Sequence, residues 1–345
     1  MIVFVERDIA IDMGTDTTLL YVDGKGIRLR EPTVVTVNQQ DGSLLRIGEE
    51  ARKMLGRTPA NVAAVHPIVH GVISDYDMAT LMLRELIRRV TSFSLFKPRV
   101  LMCVPGSITG VEERAIIDAC VEAGARKVYL VESSVATAVG AGLDVNRPDG
   151  HMILDIGSGT TECAVVSAGG VVESESIKTA GNAFDEAIIR YIRRKHSLLI
   201  GEQTAEALKR SIGCVKPRKE IVYEEVKGRC LMTGLSRSVT ISSDEMVEAL
   251  EECANTILET AHMVLERTPP ELVADISENG AVLSGGGSLI YGMDRLFTER
   301  TGIAANVVDD ALSCTAYGAG RMLSRLNSMT EGMINLARRR QMQAN

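Results

Sequence analysis

Hydrophobic and polar positions along the chain fall into short blocks whose period switches between two and nearly four, the pattern of strands alternating with helices. An apolar run at Asp8-Ile9-Ala10-Ile11 leads into DMGTDTT (12–18), and another at Met152-Ile153-Leu154 leads into DIGSGTT (155–161). Each is followed by a second apolar run that ends in a glycine turn, LLYVDGKG in the first half and CAVVSAGG in the second. Both therefore read as strand, tight turn, strand. Between them, RVLMCVP (99–105) predicts a buried strand and KVYLVE (127–132) the next one. The intervening GVEERAIIDACVEAGA (110–125) predicts an amphipathic helix with Val111, Ala115, Ile116, Ala119 and Cys120 inward.

After the second motif the period is helical around AFDEAIIRYIRRKHS (183–197) and TAEALKRSIG (204–213). A polar, β-rich insertion near 218–243 follows, then a long helix from Ser243 to about Arg267, stopped by Pro269 and Pro270. The strand GAVLS (280–284) runs into Gly285-Gly286-Gly287 and a helix over SLIYGMDRLFTER (288–300). Three glycines between strand and helix let backbone approach a ligand closely.

The two motifs fit one template: Asp, an apolar residue, Gly, Thr or Ser, any residue, Thr, Thr. One D-x-G turn is common, but two with the same flanks, one in each half, form an internal repeat. The residue types suit phosphate. Gly14, Gly157 and Gly159 allow backbone N–H groups to close around phosphate oxygens, Thr and Ser hydroxyls add donors, and a carboxylate at a strand end can hold hydrated magnesium. Two such loops facing one another across a cleft would grip one polyphosphate from both sides. No G-x-x-x-x-G-K-[ST] loop occurs, and no G-x-G-x-x-G follows the first strand, which argues against P-loop and dinucleotide-binding readings.

Composition narrows the partners. A chain of 345 residues, 45% hydrophobic and 24% charged, has room for about two ordinary globular domains. A net charge of -7 argues against nucleic acid, whose binders carry a surplus of Lys and Arg. Cys103, Cys120, Cys163, Cys214, Cys230, Cys253 and Cys314 are dispersed and lack metal spacing, so they read as reduced core residues of a cytosolic protein. No leader peptide and no apolar run of about 18 residues is legible, which predicts a chain neither secreted nor membrane-spanning.

These motifs, with LSGGGSL, resemble the actin, sugar kinase and heat-shock chaperone ATPase superfamily. Within it the chain is similar to the bacterial actin MreB family from about Asp8 to Leu323, through CVPGSITGVEERAIIDACVEAGAR, AGNAFDEAIIRYIRR, IGEQTAEALKRSIG and CTAYGAG. The resemblance implies an α/β, actin-like two-domain fold, each domain a ribonuclease-H-like core with a smaller inserted subdomain, and ATP with magnesium in the cleft between. Domain I would take residues 1–144 plus 317–345 with an insertion at about 33–74, and domain II residues 145–316 with an insertion at about 183–248. Asp12 and Asp155 would position magnesium through water. Gly14, Thr15, Asp16, Thr17, Thr18, Gly157, Ser158, Gly159, Thr160 and Thr161 would line the phosphates, with Thr160 also orienting the attacking water. Gly181, Glu206, Lys209, Gly285, Gly286 and Gly287 would surround ribose and adenine, although the spacing of Glu206 and Lys209 by itself describes an ordinary ion pair on a solvated helix.

The resemblance also implies head-to-tail assembly into paired protofilaments at the inner face of the cell membrane, in the cytoplasm, with membrane proteins of wall elongation as partners in directing rod shape. Phe93, Leu95 and Phe96, beside Lys97 and Arg99, would enter the bilayer surface, their alternative being to fold back on the core. The amino-terminal MIVFV, which could equally begin the first strand, and the basic tail MTEGMINLARRRQMQAN, which could equally be a frayed end, are further candidates for contact with lipid or a partner. One departure bears on chemistry. Relatives in the family usually carry Glu-Glu-Pro where this chain has Glu132-Ser133-Ser134, so Ser133 stands in place of the glutamate that polarises the attacking water. Serine cannot serve as a base near neutral pH, which predicts slow hydrolysis unless Glu132 substitutes. A plainer role for Ser133 or Ser134 is to cap the helix that follows. Milder departures are Thr17 for Asn, Ser158 for Gly and Asn182 for an acid. A small-molecule kinase on the same fold is the alternative from the enzyme class, and it lacks a candidate catalytic aspartate and substrate-binding insertion. A chaperone ATPase would need a substrate-binding domain beyond residue 345.

Overall fold

The first motif folds as a hairpin in which β1 (Ile9–Met13) pairs antiparallel with β2 (Thr17–Val22), Met13 opposite Thr18. A computed structural model describes residues 8–91 and 97–328. The chain divides into two compact units. The first takes in the described parts of Met1–Asp149, Val166–Ser176 and Ser313–Asn345, and the second Gly150–Val165 and Ile177–Leu312.

In the first unit β2 continues antiparallel into β3 (Gly26–Pro32). The insertion that follows carries a three-stranded sheet of β4 (Val35–Asn38), β5 (Leu44–Ile47) and β6 (Val62–Val65), with the single-turn helix α1 (Glu49–Arg52) between the last two. A tight hairpin, β7 (Ile68–Val69) and β8 (Val72–Ile73), turns through His70 and Gly71, both at positive φ. Helix α2 (Tyr76–Thr91) buries Ala79, Met82, Leu83, Leu86 and Ile87, an i, i+3, i+4 stripe. Beyond it β9 (Arg99–Val104), α3 (Gly110–Glu122) and β10 (Lys127–Glu132) form a parallel crossover, completing a sheet in the order β10-β9-β1-β2-β3. Helices α4 (Ser133–Gly140) and α10 (Cys314–Met322) pack so closely that a Cβ on Gly318 would overlap the Ala136 carbonyl.

The second motif supplies β11 (His151–Ile156) and β12 (Thr161–Ser167), and β12 turns into β13 (Gly170–Ile177) through Ala168 and Gly169, again both at positive φ. These join a sheet in the order β13-β12-β11-β17-β18, with β17 (Ala281–Ser284) parallel to β11 and β18 (Ala305–Val307) parallel to β17. Numbered within each copy, both sheets run 3-2-1-4-5, so the repeat seen in seven residues extends to the strand order. Helices α5 (Gly181–His196) and α6 (Glu202–Ile212) bring up their apolar faces, and β14 (Leu198–Leu199), β15 (Tyr223–Cys230) and β16 (Ser236–Ser242) make the expected insertion. The long helix is α7 (Ser243–Arg267), and Pro270 opens α8 (Pro270–Asn279) rather than a loop. All seven cysteines are buried, and desolvation pushes the Cys120 thiol up to about 12.

Three expectations need correction. Val111 is 81% exposed, while Ile116, Ala119 and Cys120 of the same helix are buried. Helical side chains lean toward the amino terminus, so a first-turn residue overhangs the packed face. Helix α9 spans Met293–Thr301, not Ser288 onward, because Gly286–Leu289 forms a 3-10 turn and Tyr291 bridges to Cys214 before Gly292, at φ 87, opens the helix. Neither Ser133 nor Ser134 caps α4: the N-cap is Glu132, with no side-chain cap bond, and Ser133 Oγ donates to the Val104 carbonyl at 3.1 Å.

Candidate functional site

The two D-x-G turns close in the same way. Gly14 N–H donates to the Thr17 carbonyl at 3.0 Å, and Gly157 N–H to the Thr160 carbonyl at 2.9 Å. A Cβ at either glycine would lie 3.1 Å from that same carbonyl, a tight contact that the turn would have to open slightly to accept, so glycine is favoured at both positions. The motif carboxylates stand just before the turns, Asp12 in β1 and Asp155 in β11, each with its residue partly exposed.

In the first unit the turn is braced from outside the motif. Thr15 is buried and its Oγ1 accepts from Gly71 N–H at 3.2 Å, while the Asp16 carbonyl accepts from Thr33 N–H at 2.9 Å. Asp16 and Thr17 are exposed. The Gly71 brace is absent from the sequence reading, though the His70-Gly71 pair between two apolar dipeptides is a legible hairpin signal. Thr18 is fully buried and shares a 2.8 Å bond with Thr33 Oγ1. Its counterpart Thr161, also fully buried, donates to the Thr179 carbonyl at 2.7 Å. The last threonine of each motif therefore holds its own unit together, leaving the hydroxyls of Thr15, Thr17, Ser158 and Thr160 as those nearest the turns.

In the second unit more of the expected residues converge. Asp155 is paired in register with Ser284, and at Gly285, φ +78, a Cβ would lie 2.5 Å from Asp155 Oδ1 and overlap the Ile156 carbonyl. A Cβ at Gly287 would meet the Ile156 side chain, whereas at Gly286 it would meet only Leu312, at 3.1 Å. On the other side, Gly181 N–H donates to the Gly157 carbonyl at 3.0 Å and Asn182 N–H to the Ser158 carbonyl at 2.8 Å. The second D-x-G turn thus satisfies the first amides of α5, which has no side-chain cap.

Lys209 on α6 reaches into this group. Its Nζ donates to Asp185 Oδ2 at 2.6 Å and to the Gly181 carbonyl at 2.7 Å. The ordinary Glu206–Lys209 pair does not form. Glu206 instead stands 3.6 Å from Arg210 on the same helix, 36% exposed. Asp185 is the residue missed by sequence reasoning, and its signal was an acid one turn beyond Gly181 on the apolar face of AFDEAII. Gly157, Ser158, Gly181, Lys209, Asp155 and the triple glycine are linked by these contacts into one cluster of this unit, with Glu206 on the same helix as Lys209.

At the end of β10, Glu132 is 5% exposed and in register with Val104, while Ser133 is half-buried. Phe93, Leu95 and Phe96 lie outside the described residues, as do MIVFV and the basic tail. Among the described residues no three His, Cys, Asp or Glu side chains gather to hold a metal. One carboxylate beside each turn fits magnesium carried with its waters, since that ion seldom takes an all-protein cage.

Two sheets of one order, each with a D-x-G turn at the end of its first strand, define the actin-like class of fold. The family model for MreB/Mbl protein matches residues 6–331, and the chain belongs to that family. It is 47% identical over 327 residues to the cell shape-determining protein MreB of Escherichia coli, covering 93% of this chain and 94% of that one. It is 45% identical over 324 residues to the cell shape-determining protein Mbl of Bacillus cereus, covering 94% and 97%. Among solved structures, MreB5 of Spiroplasma citri bound to ADP superposes with a TM-score of 0.90 at 34% identity, covering 94% of this chain and 98% of that one. A MamK double helical filament, at TM-score 0.79 and 20% identity, shares the fold.

Proposed function

We propose that this chain is a cytoskeletal, ATP-binding protein that assembles with copies of itself into filaments and directs cell shape. The observation that carries the nucleotide reading is the identical closure of the two turns, through Gly14 and Gly157. The cell shape-determining relatives and the nucleotide-bound MreB5 structures, one with ADP and one with AMPPNP, support it. Those relatives count against the kinase alternative.

In this reading the amides of residues 15–17 and 158–160, held in place by the closed turns, donate to phosphate oxygens. Asp12 and Asp155 orient the waters of a magnesium ion, which when bound offsets phosphate charge. Gly181, Glu206, Lys209 and Gly285–Gly287 contact sugar and base, and Thr160 orients the water that attacks the terminal phosphate. Ser133 can hold that water by a hydrogen bond but cannot take its proton, and Glu132 is withdrawn into the unit, so turnover is slow. The filament works at the inner face of the membrane, through Phe93, Leu95 and Phe96, beside the proteins of wall elongation. No helix among the described residues is long and apolar enough to cross a membrane.

Titration of the purified chain with ATP and magnesium tests the nucleotide reading. Gly157→Val is expected to weaken ATP binding at least tenfold with an unchanged circular dichroism spectrum. Equal affinity in the variant, or no binding by wild type, contradicts it.

A further inference from the structure

Lys209 is placed in an unusual way for a cation expected to meet a phosphorylated ligand. Its side chain is 13% exposed and that of Asp185 is 11% exposed, and their 2.6 Å contact makes the pair electrically neutral. An ammonium has three N–H donors. Two of them are committed, to Asp185 Oδ2 and to the Gly181 carbonyl. One remains. The Gly181 carbonyl that receives Lys209 shares its peptide unit with the Asn182 amide, which donates to the Ser158 carbonyl, so the ammonium is indexed to the turn through a single peptide unit. Asp185 lies one helical turn after Gly181 on α5 and fixes both the charge and the direction of the lysine.

A lone cation attracts an anion with an energy that falls as the inverse of distance, whereas a neutral ion pair acts at range only as a dipole. A lysine serving as a phosphate counter-charge gains from staying unpaired until the ligand arrives. This one is paired already. We propose that Asp185 is the positioning residue of the second unit's site: it neutralises Lys209 and aims its remaining N–H, so that Lys209 reads a nucleotide as an uncharged hydrogen-bond donor, indifferent to the number of phosphates. The inference rests on the nucleotide-binding reading above and deepens it, because it assigns phosphate discrimination to the turns and removes it from Lys209.

The test measures affinities of the full-length chain for adenosine, ADP and ATP at one magnesium concentration, in wild type, Asp185→Asn, Asp185→Glu and the double variant Asp185→Asn with Lys209→Met. The double variant replaces a neutral pair with a neutral pair of similar size. It is expected to lose affinity for all three ligands by one common factor, leaving the ATP-to-adenosine ratio within about twofold of wild type. Asp185→Asn leaves an uncompensated ammonium beside the turn, so its ratio is expected to rise about tenfold in favour of ATP. Asp185→Glu restores the carboxylate and brings the ratio back. A merely structural aspartate would lower every affinity alike and leave the ratio of Asp185→Asn where it was, which overturns the proposal. Preferential loss of ATP by the double variant, the mark of a lysine that leaves Asp185 for a phosphate, overturns it too, and this variant decides alone if Asp185→Asn does not fold. A wild type that binds none of the three ligands refutes the nucleotide reading itself, and this inference with it.

Discussion

At Ser133 the sheet of the first unit passes into α4, and the hydroxyl spends its proton on the Val104 carbonyl at the end of the neighbouring strand. A carboxylate at this position could accept a proton from an attacking water, whereas the serine cannot. Ser133→Glu is therefore expected to raise the rate of phosphate release from ATP by about two orders of magnitude or more, the usual worth of general-base assistance, with ATP affinity changed only a few-fold. Equal rates in the two proteins would show that Ser133 is no defect. Single residues were legible where their type is favoured by backbone geometry, as at Gly14 and Gly157, whose turns bring a carbonyl within 3.1 Å of any added Cβ. They were illegible where the answer lies in a partner distant along the chain. Nothing in DMGTDTT says that Thr18 will face Thr33, or that Gly71 will brace Thr15, and nothing in TAEALKRSIG says that Lys209 will leave Glu206 for Asp185.

Secondary-structure elements were read most reliably where local chemistry and periodicity agree. Helix α7 begins at a reciprocal capping box, Ser242 Oγ accepting from Glu245 N–H at 3.3 Å and Glu245 Oε1 from Ser242 N–H at 3.1 Å, and it ends just before Pro269. The overreach at Val111 and at Ser288 came from extending a periodic pattern beyond the surface that gives it meaning. Glu245 also carries a pH dependence. Partial burial pushes its carboxyl up, but the hydrogen bond with His196, the Ser242 amide and the charges of His196 and Lys195 outweigh that and hold it below the ordinary glutamate value. A carboxyl depressed in the folded state contributes stability that is full above its unfolded value, about 4.3, and is lost as pH falls through the lower folded value. Glu245→Gln is therefore expected to show a smaller drop in Tm between pH 7 and pH 3 than wild type. An unchanged drop would mean that the box and the His196 contact add nothing to acid sensitivity.

For the whole molecule, the decisive signal was the repeat. Seven residues in each half foretold two hairpins, and the hairpins are the first two strands of two sheets with a common 3-2-1-4-5 order. Each unit has its own apolar core, built on Ile9, Ile11, Leu20 and Val100 in the first and on Met152, Leu154, Phe184 and Phe297 in the second. Assembly was not legible from periodicity or composition, since a contact with a second copy depends on surface shape and leaves no required pattern in one chain. It entered through the family, and it is the central claim for function. Sedimentation of the purified chain with ATP and magnesium, against the same protein without nucleotide, tests it most directly. Pelleting above a threshold protein concentration with ATP is expected, with filaments in the pellet by electron microscopy. A protein that stays monomeric with ATP, and equally with ATP and anionic lipid vesicles, would contradict it.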